Sequence, residues 1–261
     1  PRTRGKEVSE SAEKIYQQAK TLVQSGVLEV TLLGQNVNSY GQDLLSDEEK
    51  KQRDTYPFVD LLKKVASVEG LKRLRFTTSN PHDLSRPLAA LFGEEPKLGT
   101  YFHLPLQSGS NNILEKMRRK VTIEEYYERV GWLRQAVPEI ALSTDLIVGF
   151  PGESEEDFER TIEAVKKIRF SFIYAFKYSP RQSTAAARFF EQVPEEVKSK
   201  RLAKLNKIQD EITLDLNRKE HGKKRTVLFL YESKKETGIY YGRSEHFKLV
   251  RVSSQQNLIS Q

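Results

Sequence analysis

The chain has 261 residues, of which 37% are hydrophobic and 30% charged, with a formal net charge of +7 and a pI of about 9.3. That length accommodates one large domain and a small one, and the basic balance favours an anionic partner such as RNA. No apolar run approaches the roughly 18 residues of a membrane span, the opening PRTRGKEVSE lacks the apolar centre of a signal peptide, and the absence of cysteine excludes disulfides and thiolate metal sites within these residues.

In chain order, Val8, Ala12, Ile15, Tyr16, Ala19, Leu22 and Val23 recur at helical spacing, and Gly26 closes that helix. Val27 to Leu33 is a short apolar strand ending at Gly34, followed by a charged surface loop over 41–56. Phe58, Leu61, Leu62, Val65 and Val68 mark a helix closed by Gly70, Leu71 to Thr77 a strand, and Leu84 to Phe92 a short helix. Thr100 to Leu106 is a strand, Ser110 to Lys120 a helix, and Thr122 with Glu125 a capping box for a helix reaching Ala136.

The most informative stretch is STDLIVGFPGE, Ser143 to Glu153. A buried strand runs into a turn of Gly149, Pro151 and Gly152, and Ser154 to Asp157 opens a helix. A strand ending this way is expected to leave bare backbone at a sheet rim, where a flat ligand approaches closely. Phe170 to Tyr178 is an aromatic strand, and Pro194 with Glu195 and Glu196 starts a helix through Leu205, Ile208, Ile212 and Leu216.

Helices alternating with five strands imply a parallel sheet. Beyond Gly222 the texture changes to three short strands, Thr226 to Tyr231, Ile239 to Arg243 and Phe247 to Val252, without helices between them. This predicts a small antiparallel module of barrel type. The boundary is expected at 217/218, giving an α/β core over 1–217 and the module over 218–261. Both ends read as cut short: a strand is expected before Pro1, and SSQQNLISQ closes no strand pattern.

Each strand ends in polar or glycine-rich residues: Gly34-Gln35-Asn36, Thr78-Ser79-Asn80, Gln107-Ser108-Gly109-Ser110, Asp145 with Gly149 to Glu153, and Tyr178-Ser179-Pro180-Arg181. In a barrel such ends converge on one mouth. Amides, hydroxyls and a carboxylate suit a ligand carrying an amine, a carboxylate and ribose hydroxyls. The same residue types are also ordinary turn formers. His82, His103, His221 and His246 show no metal-ligand spacing. His103 reads as a core histidine, and Lys177 as an exposed lysine at a strand end.

PRTRGKEVS, LLGQNVNSYG, RFTTSNPHDLS, HLPLQSGSNNILEKMRRKVT, STDLIVGFPGESEEDF and FKYSPR with TAAA resemble the MiaB-type tRNA methylthiotransferases, which are radical SAM enzymes. The resemblance runs from Pro1 to about Asn217 and continues weakly into a TRAM-like segment. It implies a partial (β/α)6 TIM-like radical SAM barrel missing its first strand, plus a partial TRAM-like RNA-binding module. It further implies S-adenosyl-L-methionine and two [4Fe-4S] clusters as cofactors, tRNA as substrate, an electron donor as partner, a cytoplasmic location and no membrane.

The implied reaction converts N6-isopentenyladenosine beside the anticodon to its 2-methylthio derivative. The cysteines that hold the radical cluster precede the segment matching Pro1 to Ser9 in the family and are absent here, so the chain reads as an inactive fragment of a longer enzyme. The alternatives are methylthiolation of threonylcarbamoyladenosine or of a ribosomal protein, and a non-catalytic RNA-binding barrel.

By the resemblance, Gln35 and Asn36 lie near the methionine amine. Ser79, Gln107, Ser108, Gly109 and Ser110 contact ribose or carboxylate, with a helix cap as the second reading of Ser110. Gly149, Phe150, Pro151 and Gly152 pack against adenine. Asp145 orients ribose or substrate, and is the one side chain offered for a catalytic role, or else pairs with a neighbouring cation. Arg2, Arg4, Arg181, Arg218, Lys219, Lys223, Lys224 and Arg225 are the expected RNA contacts, with Tyr231, Tyr240 and Tyr241 as stacking candidates. The basic run from Lys198 to Lys207 reads either as a phosphate-facing surface or as a solvated helix face.

Overall fold

The computed structural model describes residues 8–46, 48, 56–77, 79–181 and 184–259. The regular elements are α1 (Ala12–Gln24), β1 (Glu29–Leu32), α2 (Pro57–Ala66), β2 (Arg73–Phe76), α3 (Arg86–Glu94), β3 (Tyr101–His103), α4 (Asn111–Lys116), α5 (Ile123–Ala136), β4 (Ala141–Val148), α6 (Glu155–Ile168), β5 (Phe172–Lys177), α7 (Glu195–Arg218), β6 (Val227–Glu232), β7 (Ile239–Ser244) and β8 (Leu249–Ser253). Among the described residues no helix is long and apolar enough to cross a membrane. The chain divides into two compact units, one of residues 1–101, 132–140 and 224–261, the other of 102–131 and 141–223.

In the first unit β1 and β2 pair in parallel with Glu29 opposite Arg73, and Leu98 bridges Leu74 on the far side of β2. Pro57 fills the first turn of α2, where its missing N–H leaves no hydrogen bond unmade. That helix buries Phe58, Leu61, Leu62 and Val65. The rings of Phe58, Phe76 and Phe92 pack in sequence at 5.0 and 5.9 Å. Full burial of each such side chain contributes about 1.5–3 kcal/mol.

The antiparallel sheet β6-β7-β8 is joined to this unit by buried arginines. Arg73 donates to the Arg243 carbonyl at 3.0 Å and Arg75 to the Ser244 carbonyl at 3.0 Å, and Glu29 accepts from both. Residues 224–261 therefore pack with the first 101, whereas the sequence reading sets them apart at 217/218.

In the second unit the sheet order is β3-β4-β5, with β4 and β5 parallel and Ser143 opposite Phe172. Regular pairing on β3 is shorter than the predicted 100–106. Pro105 supplies no donor, and Leu106 N–H turns to the Thr144 hydroxyl at 2.8 Å. α4 stops at Lys116 rather than Lys120, and Arg118 takes a left-handed φ of 57° just beyond it. α6 opens on the expected capping box, Ser154 with Asp157. The 24-residue α7 buries Lys198, Arg201, Leu205, Gln209 and Ile212. Their spacing is that of one helix face.

Candidate functional site

In the first unit, β1 ends at Gly34, Gln35 and Asn36. Gln35 is exposed and Asn36 half-buried. Asn36 Nδ2 donates to Ser39 Oγ at 2.5 Å and to Asp83 Oδ2 at 3.0 Å, and Ser39 Oγ donates to the same carboxylate oxygen at 2.6 Å. The carboxylate fixes which end of the amide faces it, because only the NH2 end can donate. Asn36 Oδ1 is then left buried with no partner among the described residues, a costly arrangement unless a donor arrives.

A cavity of about 520 Å³ is lined by Gln35 and Asn36 together with Ser9, Leu33 and Tyr40. Asn38 Nδ2 donates to the Asn80 carbonyl and Asn38 Oδ1 accepts from Asn80 N–H, which ties the ends of β1 and β2 together. Ser79 is buried beside that tie.

In the second unit, Gln107 sits at φ 75°, a left-handed conformation uncommon for a side chain of this size. It is held there by its N–H on the Asp145 carbonyl (2.8 Å) and by its own carbonyl accepting from Ile147 N–H (2.9 Å). Ser108 and Ser110 are both 0% exposed. Ser110 Oγ donates to Asp157 Oδ1 at 2.5 Å, Ser108 Oγ meets Thr161 Oγ1 at 3.3 Å, and Gly109 N–H donates to Thr161 Oγ1 at 2.9 Å. A Cβ on Gly109 would lie 2.5 Å from the Arg160 carbonyl oxygen.

The Ser108 hydroxyl, the Gly109 N–H and the Ser110 hydroxyl, expected at the cofactor, seat this loop on α6. Ser110 stands at the N-cap of α4, as its second reading has it, but its hydroxyl makes no cap hydrogen bond and is spent on Asp157. Burial pushes the Asp157 carboxyl up, and hydrogen bonds from Ser110, Ser154 and Asn112 outweigh that and hold it below its ordinary value.

The turn after β4 is not bare. Gly149 and Gly152 have φ of 71° and 76°, the backbone that selects glycine. Gly149 N–H donates to Glu153 Oε2 at 2.6 Å. Arg201 Nη1 donates to the same oxygen at 2.7 Å and to the Glu153 carbonyl at 3.1 Å, and Arg201 Nη2 reaches Glu155. The two buried side chains are 7% and 1% exposed. Desolvation raises the Glu153 pKa, opposed by the Gly149 N–H and by Arg201.

Lys198 runs over Gly149, where a Cβ would lie 2.3 Å from its Cγ, and its Nζ donates to the Tyr178 carbonyl at 3.2 Å. Phe150 and Pro151 are buried, with the Phe150 ring edge-on to Tyr178 at 5.1 Å. So α7 backs the turn, and Glu153, Lys198 and Arg201 hold it through contacts that the sequence reading did not predict.

On the sheet face shared by β4 and β5, His103 Nδ1 meets Ser143 Oγ at 2.8 Å and Nε2 lies 3.5 Å from Asp145 Oδ2. His103 is half-buried there, with both ring nitrogens facing partners. Arg119 and Asp145 attract across a longer gap; desolvation lowers the Arg119 pKa and the carboxylate opposes that. Lys177 is salt-bridged to Glu195.

Of the expected RNA contacts, Arg2 and Arg4 lie outside the described residues. Arg181, Arg218, Lys219, Lys223 and Lys224 are exposed, and Lys219 pairs with Asp215 at 3.1 Å. Arg225 is bound to Glu139 at 3.0 Å and faces Glu245 at 3.7 Å, within its own unit. Lys198 and Arg201 leave the basic run for the interior. Tyr231 and Tyr241 stack at 5.5 Å.

A family model described as the radical SAM superfamily matches residues 1–165. The chain belongs to that superfamily. Within it, the close homology is with MiaB-type tRNA methylthiotransferases. A protein of Thermodesulfovibrio yellowstonii named tRNA-2-methylthio-N(6)-dimethylallyladenosine synthase is 48% identical over 254 residues, which is 97% of this chain and 56% of that one. Proteins of the same name from Desulfotalea psychrophila and Ehrlichia canis are 49% identical over 228 residues (87% of this chain, 50% of that one) and 44% identical over 254 residues (97% and 56%). The chain spans about half the length of these relatives.

Among solved structures, Escherichia coli coproporphyrinogen III oxidase HemN, described as a radical SAM enzyme, aligns with a TM-score of 0.50 at 15% identity, over 79% of this chain and 48% of that one. This likeness concerns the α/β fold alone.

The residues fit one implied cofactor and not the other. The orphaned Asn36 Oδ1 is an acceptor waiting for a donor such as the ammonium of S-adenosylmethionine. No iron–sulfur cluster fits: the chain has no cysteine, and the described residues contain no group of His, Asp or Glu able to hold a metal.

Proposed function

We propose that the protein to which these residues belong is a tRNA methylthiotransferase that converts N6-isopentenyladenosine beside the anticodon to 2-methylthio-N6-isopentenyladenosine. In this reading the parallel strands belong to a (β/α)6-type radical SAM barrel and β6-β7-β8 to a TRAM-like RNA-binding module. The protein works in the cytoplasm with tRNA and an electron donor.

The observation that carries the reading is 42–49% identity to eight relatives bearing one name, over 87–99% of this chain. S-adenosylmethionine, when bound, supplies the radical and the methyl group. Asn36 Oδ1, with Gln35 beside it, accepts from its ammonium group. In the second unit Ser108, Gly109 and Ser110 seat the Gln107 loop on α6. Both [4Fe-4S] clusters need thiolates from outside these residues, so the 261 residues by themselves do not turn over.

The test is expression of the complete reading frame, reconstituted with iron, sulfide and reductant and assayed on isopentenylated tRNA. Methylthio product on that nucleoside is the expected result. Product on threonylcarbamoyladenosine tRNA or on a ribosomal protein instead, or none with both clusters verified, contradicts the reading.

A further inference from the structure

β5 carries an aromatic on every residue of one face: Phe172, Tyr174 and Phe176. Buried faces are where such residues ordinarily go, yet Tyr174 is 47% and Phe176 54% exposed. In the parallel register Ser143, Asp145 and Ile147 of β4 stand directly beside them. The side chains meet as the register requires. Tyr174 packs edge-on to Phe172 at 5.4 Å and to His103 at 5.9 Å, and His103 reaches Asp145.

Asp145 is 31% exposed; its carbonyl accepts from Gln107 N–H, while its carboxylate approaches His103 at 3.5 Å and attracts Arg119 across a longer gap. The face is therefore a strip of uncovered rings with an acceptor-only group at its middle. Its complement is a flat ring that presents an N–H to the carboxylate, stacks on an aromatic, and carries an apolar arm along the strip.

We infer that Tyr174 and Phe176, with Asp145 between their strand and β3, form the recognition face for the N6-substituted adenine base, Phe176 reading the apolar N6 arm. The inference rests on the reading above that the substrate is a prenylated adenosine. An adenine bearing one N6 substituent keeps one N6–H, which Asp145 accepts. Tyr174 supplies a ring face for the base, and Phe176 a wall for the branched alkenyl group. Discrimination through such a wall is set by apolar contact, for which even one carbon is worth about tenfold or more in a well-fitting pocket. An open strip returns part of that, so the whole five-carbon arm is expected to contribute roughly tenfold.

Calorimetric titration of the 261-residue chain with N6-(dimethylallyl)adenosine and with adenosine tests this. The prenylated nucleoside is expected to bind about tenfold more tightly. Phe176→Ser is expected to bring the two affinities within about twofold, and Phe176→Leu, which keeps an apolar wall, to retain most of the preference. Phe176 is half-exposed, so neither change empties the core, and unchanged thermal midpoints confirm that both variants fold. Equal affinities in the parent chain, a preference that survives Phe176→Ser, or no binding of either nucleoside overturns the inference. The titration contains neither tRNA nor S-adenosylmethionine, so absent methylthiolation by the complete protein leaves its outcome standing.

Discussion

Arg201 and Glu153 show how a charged pair is kept inside this chain. Each alone would be costly to bury; together they close a ring of hydrogen bonds through Gly149 N–H and the Glu153 carbonyl. Arg201→Met is expected to cost about 3–5 kcal/mol in denaturant unfolding, because it strands a buried carboxylate. The double variant Arg201→Met with Glu153→Gln should recover much of that loss.

Asp157 makes the opposite point about pH. Its folded-state pKa lies below the ordinary 3.8, so its stabilising contribution is complete above about that pH and is lost as pH falls through the lower folded value. Asp157→Asn is expected to cost about 1–3 kcal/mol at pH 7. In parallel unfolding curves the gap from the parent should narrow below pH 3.8; a gap constant with pH would refute the assignment. Neither Arg201 nor Lys198 was legible from sequence. Both sit in a basic run whose composition matches a solvated face, and only their spacing with Leu205 and Ile212 marks them as members of the buried stripe.

At the scale of elements, the order of helices and parallel strands was legible because the signals were local. The Ser154 capping box, the Thr122–Glu125 box and the left-handed Gly26, Gly70 and Gly149 stand where the sequence puts them. What the sequence did not show was the seating of the loop after β3. Gln107-Ser108-Gly109-Ser110 has the polar composition of a ligand loop, but two serines and a glycine are consumed by Thr161 and Asp157 of α6, contacts about fifty residues away that no spacing rule reaches.

Packing also separates two glycines that look alike in sequence. Gly26→Ala meets open space and should cost about 1–2 kcal/mol for its left-handed backbone alone. Gly149→Ala adds a collision with Lys198 and should cost about 1–3 kcal/mol more. Equal losses for the two in chemical denaturation would mean that Lys198 does not fill the turn.

Across the whole molecule, the chain is organised by long-range arginine contacts as much as by order in sequence. Residues 224–261 join the unit of the first 101 through Arg73, Arg75 and Arg225. Composition marks the change of texture at 222 but cannot show which surface receives it. The family model ends at 165, while the helix that backs the 149–153 turn begins at Glu195.

The central claim is that the ends of these strands serve S-adenosylmethionine. Nuclear magnetic resonance titration of the chain with S-adenosylhomocysteine, which carries the same amine, carboxylate, ribose and adenine, tests it most directly. The expected result is that the Asn36 side-chain amide and the Gln35 and Asn36 backbone amides shift together along one saturation curve. Saturable binding that leaves Asn36 and these strand ends unmoved, or no saturable binding at all, would contradict the account.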